Sequence, residues 1–121
     1  MTKKFLILII LLLISSAKVF SAHLNPEKFY QARWCNAHNG IMEYKLFDAT
    51  RVDCLTDTEA VEFDFAKKWA EAIGQSLYYG KITGKTPTIG LILETPADKR
   101  YYERILPLCY QYGINLYKIE P

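Results

Sequence analysis

Apolar and polar residues follow one another along this chain in runs that predict strands and helices in a definite order. Period-two runs indicate half-buried strands, and apolar residues spaced three and four apart indicate helices. The predicted elements are a helix over 25–38, strands over 41–47, 51–55 and 60–65, a helix over 66–83, a strand over 88–93, a helix over 96–112 and a strand over 114–119. Short turns join the first three strands, which predicts an antiparallel meander within an α/β (α+β) fold.

Local signals refine several of these elements. Asn25 is predicted to cap the first helix because Pro26 and Glu27 follow it. Pro107 falls inside the last helix and is expected to kink or divide it. The fourth strand is almost entirely apolar, which is typical of a strand buried on both faces. The central helix has one apolar stripe that predicts its buried side: Ala66, Trp69, Ala70, Ile73 and Leu77.

The first 22 residues have the composition of a secretory signal peptide. Lys3 and Lys4 precede an unbroken apolar run over 5–14, and small residues follow it. Because a bilayer-spanning helix needs about 20 apolar residues, a cleaved signal over 1–22 is predicted, with an uncleaved membrane anchor as the alternative. The remaining residues, 23–121, suffice for one compact domain, which we expect to be exported to a periplasmic or extracellular space.

The charge balance excludes strong nonspecific attraction to nucleic acid. The whole chain has 15 basic and 13 acidic residues. Removing Lys3, Lys4 and Lys18 with the leader leaves 12 basic and 13 acidic residues, a net charge of −1. Any binding to nucleic acid therefore depends on a local patch. The candidate cations are scattered along the chain: Arg51, Lys67, Lys81, Lys85, Lys99, Arg100 and Arg104.

The cysteines and histidines narrow the chemistry further. An odd count of three cysteines, Cys35, Cys54 and Cys109, leaves at least one thiol free or paired between chains. We expect all three to be buried apolar residues, and an exported protein that uses a free thiol is the weaker alternative. With only His23 and His38 and no CxxC pair, the sequence supports neither a structural zinc site nor a Cys–His nucleophile.

Three acidic residues fall on two neighbouring predicted strands. Period two places Glu62 and Asp64 on one face of the third strand, with apolar side chains on the other face. Asp53 lies on the second strand, and a short turn brings that strand beside the third. Carboxylates this close repel one another, and a divalent cation such as Mg²⁺ relieves the repulsion. The alternative is an exposed acidic face of a small sheet.

The central helix adds polar groups of a different kind. At about 100° per residue, Lys68, Ala72, Gln75 and Tyr79 fall within one arc, on the side away from the apolar stripe. One face therefore presents an ammonium, an amide and a phenol. A solvated polar face is the alternative, and it explains Lys68 and Gln75 better than it explains Tyr79.

This combination of residues resembles the PD-(D/E)XK nuclease superfamily. An acid in the second strand, a Glu in the third and a Gln-x-x-x-Tyr run at 75–79 are similar to the motifs of its RecB-type exonuclease branch. The resemblance implies a restriction-endonuclease-like αβββαβ core with a central mixed sheet over about 25–93, followed by a helix–strand addition. It implies a metal-dependent nuclease acting on DNA, with Mg²⁺ or Mn²⁺ and no organic cofactor.

Carried over residue by residue, the resemblance assigns Asp53 and Glu62 as metal ligands, with the backbone carbonyl of Phe63 as a further ligand. Gln75 and Tyr79 would position DNA or the attacking water. Glu27 would match the extra acid of some members, and its alternative is an ordinary acid at a helix N-terminus.

The chain departs from the family pattern at position 64. The pattern has Lys two residues after the strand-three Glu, and Asp64 stands there instead, as a possible extra ligand. A lysine at that place stabilises charge in the transition state. Lys68 is the predicted replacement because it lies one helical turn further on, whereas Lys67 points about 100° away. If no lysine reaches the site, the domain is an inactive relative that binds without cutting.

Overall fold

The computed structural model describes residues 22–121, so all but the last residue of the predicted leader lies outside the described part. The α-helices are α1 (Glu27–Ala37), α2 (Trp69–Thr83) and α3 (Lys99–Tyr112). The strands are β1 (Ile41–Lys45), β2 (Arg51–Leu55), β3 (Glu59–Phe65), β4 (Thr86–Ile92) and β5 (Asn115–Ile119). Single 3₁₀ turns, Ala66–Lys68 and Pro96–Asp98, lead into α2 and α3. Within residues 22–121 none of the helices combines the length and apolar character needed to cross a membrane.

The five strands form one mixed sheet in the order β1-β2-β3-β4-β5. β1, β2 and β3 pair antiparallel, which confirms the predicted meander. β3, β4 and β5 pair parallel, with α2 and α3 as the crossover helices. Five of the seven β4 residues are buried, as the apolar fourth strand predicted. The α+β class with a central mixed sheet is therefore confirmed.

α1 covers one face of the sheet. Its Tyr30 and Trp34 pack with Val61 and Phe63 of β3. Burial of aromatic side chains of this size dominates the stability of a small core. Gly90 of β4 faces Phe63, and a Cβ at this position would lie 2.5 Å from the Phe63 ring. Only glycine lets the ring approach the strand so closely.

α2 and α3 cover the other face, and this face carries Glu62 and Asp64 of β3. Glu62 pairs with Ile89 and Asp64 with Leu91, and both apolar partners belong to the core cluster under α2 and α3. Glu62 is 6% exposed and Asp64 is 5% exposed. The alternative of an exposed acidic sheet face is therefore wrong, because the crossover helices bury this face.

The buried side of α2 differs from the predicted stripe. Ala70 is exposed, and the buried residues of the helix are Ala72, Ser76, Tyr79 and Gly80. Trp69, Ile73 and Leu77 are half-buried and pack towards Ile105 and Cys109 of α3. The helix is covered on two sides, by the sheet and by α3, so a single stripe does not describe it.

Of two local predictions about the helices, the Asn25 cap was wrong, and the predicted division of the last helix at Pro107 does not occur. Pro26, not Asn25, is the N-cap residue of α1, and the Asn25 side chain donates instead to the Tyr30 hydroxyl at 3.3 Å. Pro107 does not divide α3, which continues to Tyr112. Pro107 and Glu103, whose carbonyl loses its helical donor, are both exposed, so water can bind that carbonyl.

All three cysteines are buried, as expected, but two of them are bonded to each other. Cys35 of α1 and Cys54 of β2 form a disulfide, whereas Cys109 is a buried free thiol, as the odd count required. The bridge fits because Gly40 leaves space, since a Cβ there would lie 2.3 Å from Cys54 Sγ. Burial raises the pKa of Cys109 to about 11. A thiol protonated at neutral pH is a poor nucleophile, which argues against the thiol-protein alternative.

Candidate carboxylate site between β2 and β3

Asp53 and Glu62 face each other where the pairing of β2 with β3 ends. The pairing runs through Leu55–Ala60 and Cys54–Val61, so the next opposed residues are Asp53 and Glu62. At this point the Phe63 N–H donates a hydrogen bond to Asp53 Oδ2 at 2.8 Å. A side-chain oxygen thus takes the place of a backbone acceptor. The side chain of Asp53 is therefore fixed inside the gap between the strands.

α1 fixes Asp53 from the other side. The Gln31 side chain, 1% exposed, donates from Nε2 to the Asp53 carbonyl at 2.7 Å and to Glu43 Oε1 at 3.3 Å. The Cys35–Cys54 disulfide ties the same helix to the residue next to Asp53. Side-chain hydrogen bonds and a covalent bond thus hold the carboxylate in one place, as a preorganised site requires.

Glu62 is a buried carboxylate with an oxygen that lacks a hydrogen-bond partner. Its Oε2 atom is fully buried and, within residues 22–121, receives no donor. Burial, and secondarily the negative charge of Asp53, raises the pKa of Glu62 to about 10. Burial also raises the pKa of Asp53, although the Phe63 N–H and a hydrogen bond with Glu62 oppose the rise. The pair therefore holds a proton at neutral pH when no cation is bound.

Two further carboxylates belong to the same electrostatic cluster. Burial, followed by the charges of Asp53 and Asp64, raises the pKa of Glu27 to about 7. Burial raises the pKa of Asp64 to about 6, and the ammonium of Lys68 opposes that rise. The structure thus brings both extra acids of the sequence prediction, Glu27 from α1 and Asp64 from β3, to the Asp53–Glu62 pair.

Lys68 lies at the exposed side of this cluster. It is exposed on the 3₁₀ turn before α2, and its charge lowers the pKa values of Asp64 and Glu27. In the described part of the chain no carboxylate oxygen lies within 4.0 Å of its ammonium. Lys67 instead lines a separate cavity with Arg100 and Tyr101. Of the two lysines, Lys68 is the one directed towards the acids.

Gln75 and Tyr79 lie one turn apart on α2. Tyr79 is 6% exposed and packs with Val52 of β2 and Ala60 of β3. Burial, and then the charges of Glu62 and Asp53, raises the pKa of the Tyr79 phenol. The phenol is therefore close to the carboxylate pair. Gln75 is half-buried and precedes Tyr79 on the same helix.

Sequence reasoning missed three residues near the site. Gln31 lies four residues after Glu27 on α1, and this helical spacing was a usable signal. Glu71 raises the pKa of Asp64 from the first turn of α2. Glu43 has a left-handed backbone with φ of 53°, which breaks the alternation of β1, and it raises the pKa values of Asp53 and Glu27. The sequence contains no signal for that backbone.

The site offers a divalent cation a pair of carboxylates and not a complete set of protein ligands. Among residues 22–121 no group of three or more His, Cys, Asp or Glu side chains is arranged to hold a metal ion. However, Glu62 Oε2 is buried without a donor beside Asp53. Mg²⁺ is commonly held by one or two carboxylates with water filling the remaining positions. Asp53 and Glu62 are therefore the residues that could hold such a cation.

Comparison of the chain with family models, with curated proteins and with solved structures finds no match in any of the three.

Proposed function

We propose that this protein is a metal-dependent nuclease that hydrolyses DNA phosphodiester bonds. The observation that carries the proposal is the unpartnered, buried Oε2 of Glu62 next to Asp53. Without a cation this buried pair must hold a proton at neutral pH, and a bound cation would take the place of that proton. Perturbed pKa values clustered in one place are also a common mark of active sites.

The finer fold assignment belongs to the same proposal. The observed order α1, β1, β2, β3, α2, β4 is compatible with a restriction-endonuclease-like αβββαβ core, followed by α3 and β5. In that assignment Asp53 is the strand-two acid and Glu62 the strand-three acid. Gln75 and Tyr79 are the helix motif.

In the proposed mechanism Asp53 and Glu62, aided by the Phe63 carbonyl, hold the cation. When bound, the cation supplies Lewis-acid stabilisation of charge at the phosphate. The Lys68 ammonium stabilises the additional negative charge of the transition state. Gln75 and Tyr79 orient the substrate strand or the attacking water.

Proton transfer falls to the outer acids. The pKa of Glu27 is about 7 and that of Asp64 about 6. A carboxylate with a pKa near the working pH is a suitable general base. These pKa values are those of the site without a cation, and a bound cation would lower both of them. Either group would then be ionised at neutral pH and could accept the proton released by the attacking water.

Export of the protein is part of the proposal. A stable disulfide, Cys35–Cys54, supports it because disulfides persist in oxidising compartments and are rare in reducing ones. An uncleaved leader that tethers the domain to a membrane is the alternative.

Cleavage of plasmid DNA tests the nuclease proposal. The purified protein should nick supercoiled plasmid with Mn²⁺ or Mg²⁺ and should stop when EDTA is added. We expect Asp53→Ala and Glu62→Ala to lower the rate by about 10³-fold and Lys68→Ala by about 10²-fold. Glu103→Ala, which removes an exposed acid of α3, is the matched control and should cut normally. Undiminished cleavage by Asp53→Ala or Glu62→Ala would refute the assignment.

A catalytically inactive binding domain is the second candidate. The presence of Asp64 where a lysine is expected favours it, as does the separation of the Lys68 ammonium from the acids. This candidate predicts that the protein binds DNA or another protein but gives no cleavage product with any divalent cation. Wild-type cleavage that Lys68→Ala abolishes would exclude it.

A further inference from the structure

A groove lies beside the carboxylate site, between the turn that joins β1 to β2 and the C-terminal end of α2. Its volume is about 420 Å³, within the range of small-ligand sites. We call it the hairpin groove, and its lining residues are Tyr44, Lys45, Leu46, Phe47, Leu55, Ile82, Thr83 and Lys85.

The hairpin groove combines exposed aromatic rings with positive charge. Phe47 is 86% exposed and Tyr44 is 41% exposed. Lys45 is exposed, and Lys85 is half-buried with its ammonium donating to the Thr56 carbonyl. No acidic side chain is among the residues described as lining the groove. Stacking surfaces next to ammonium groups are the usual elements of a single-strand nucleic-acid site.

The turn that presents Phe47 is held by hydrogen bonds. Leu46 N–H donates to the Thr50 carbonyl at 2.8 Å. The Thr50 hydroxyl donates to Asp48 Oδ1 at 2.6 Å, and the Tyr78 hydroxyl of α2 donates to Asp48 Oδ2. Because the turn is tied to itself and to α2, Phe47 is kept in solvent before any ligand arrives. Such preorganisation lowers the entropic cost of binding.

The groove and the carboxylate site lie against the same buried cluster. Leu46 and Leu55 of the groove pack against the cluster of Val52, Ala60 and Tyr79. Leu55 pairs with Ala60, two residues before Glu62 on β3. At about 3.3 Å per strand residue this separation is ~7 Å.

We propose that the hairpin groove binds unpaired nucleotides of a DNA strand whose scissile phosphate lies at Asp53 and Glu62. Phe47 and Tyr44 stack on bases, and Lys45 and Lys85 bind the adjoining phosphates. The position of the scissile phosphate rests on the proposed nuclease function. The substrate is then single-stranded DNA or a strand with an unpaired segment, because duplex binding draws on many more phosphate contacts than two lysines provide.

Binding measured in EDTA tests the groove apart from catalysis. Fluorescence anisotropy compares a labelled oligothymidylate with a blunt duplex of equal length. We expect the single strand to bind more tightly, and Phe47→Ala to weaken it about tenfold, the effect of losing one stacked base. Lys45→Gln should reduce the slope of log K against log salt by about 0.7. Tyr110→Ala is the matched control because Tyr110 is 92% exposed on α3, outside the groove, and it should bind normally.

Tighter binding of the duplex, or equal binding by wild type and Phe47→Ala, would overturn the groove assignment. Circular dichroism checks that the exposed Phe47 and Tyr110 variants are folded. If the wild-type protein cleaves plasmid but the groove variants bind the single strand normally, the groove assignment is refuted and the nuclease proposal stands. Groove-dependent binding without cleavage would refute the nuclease and support the groove as a single-strand site.

Discussion

Two buried glutamates of this domain have opposite surroundings. The Glu94 side chain is 6% exposed, and its oxygens accept hydrogen bonds from His23, the Leu24 N–H and the Tyr30 hydroxyl at 2.6–2.8 Å. Glu62 is equally buried, yet one of its oxygens has no donor in the described part of the chain. Burial acts on both, but the pKa of Glu94 is lowered because the hydrogen bonds of Tyr30 and His23 outweigh it. The pKa of Glu62 rises to about 10.

The comparison separates a structural carboxylate from a candidate functional one. Glu94 fastens the segment before α1 to the end of β4, so its charge is used within the fold. Glu62 and Asp53 leave a charge that the fold does not neutralise, and only an external cation or a proton can do so. Burial of a carboxylate alone therefore does not identify a functional site. The absence of hydrogen-bond donors to a buried carboxylate oxygen does.

The largest expected difference is in stability after removal of Glu94. Glu94→Ala leaves several donors without an acceptor, and we expect a loss of about 3 kcal/mol, or a fall in Tm on the order of 15 °C. Thermal unfolding with Glu103→Ala as control measures this. A Tm within a few degrees of the control, by about the same conversion, would mean that Glu94 does not anchor the segment.

The stability that the carboxylate site contributes and the stability that Glu94 contributes should change in opposite directions with pH. The raised pKa values of Glu27 (about 7) and Asp64 (about 6) mean that the folded state binds more protons than the unfolded state above pH 4. The free energy of unfolding without metal should therefore fall from pH 5 to pH 8, by on the order of 2 kcal/mol from Glu27 and Asp64 after allowance for solvent screening. The raised pKa of Glu62 adds to this fall. Mg²⁺ at pH 8 should restore it. Glu94, with its lowered pKa, contributes stability that is lost only on acidification.

Urea unfolding in EDTA and in Mg²⁺ at pH 5 and pH 8 checks these signs. Stability that rises with pH in EDTA would contradict the raised carboxylate pKa values. Stability that is indifferent to Mg²⁺ at pH 8 would contradict the cation site.

The smallest expected effect is a gain of stability at the candidate site. At pH 8 in EDTA the Glu62 carboxyl, with its pKa of about 10, must take up a proton on folding. Glu62→Gln removes that requirement and adds an N–H that can donate to Asp53, so we expect about 1 kcal/mol of stabilisation. Mg²⁺ should stabilise wild type and leave this variant nearly unchanged. Calorimetric unfolding with and without Mg²⁺ measures both effects. Destabilisation of the variant in EDTA would show that Glu62 has a structural role like that of Glu94.

Much of the fold was predictable because local patterns determined it. The short turns of the chain allow only an antiparallel arrangement of β1, β2 and β3, which also placed Asp53 opposite Glu62. Helical spacing also placed Gln75 and Tyr79 one turn apart on α2. The predicted bounds of β2 agree with the structure.

The remaining features depend on tertiary packing. The burial of Glu62 and Asp64 follows from the position of α2 on the sheet, which no local pattern specifies. The Cys35–Cys54 bridge depends on the crossing of α1 over β2 and on space at Gly40. Gln31 reaches Asp53 only because the same helix crosses there.

The left-handed backbone of Glu43 has a consequence for how stability and activity are balanced in this domain. Glycine would adopt this φ without the steric cost, on the order of 1 kcal/mol, that a residue with a Cβ incurs. The chain has glutamate there, 30% exposed and bonded to Gln31 beside the carboxylates. Glycine at this position would relieve that cost, but it would also remove this carboxylate and its contacts with Gln31 and Lys28. The backbone strain and the charge beside Asp53 are therefore retained or lost together.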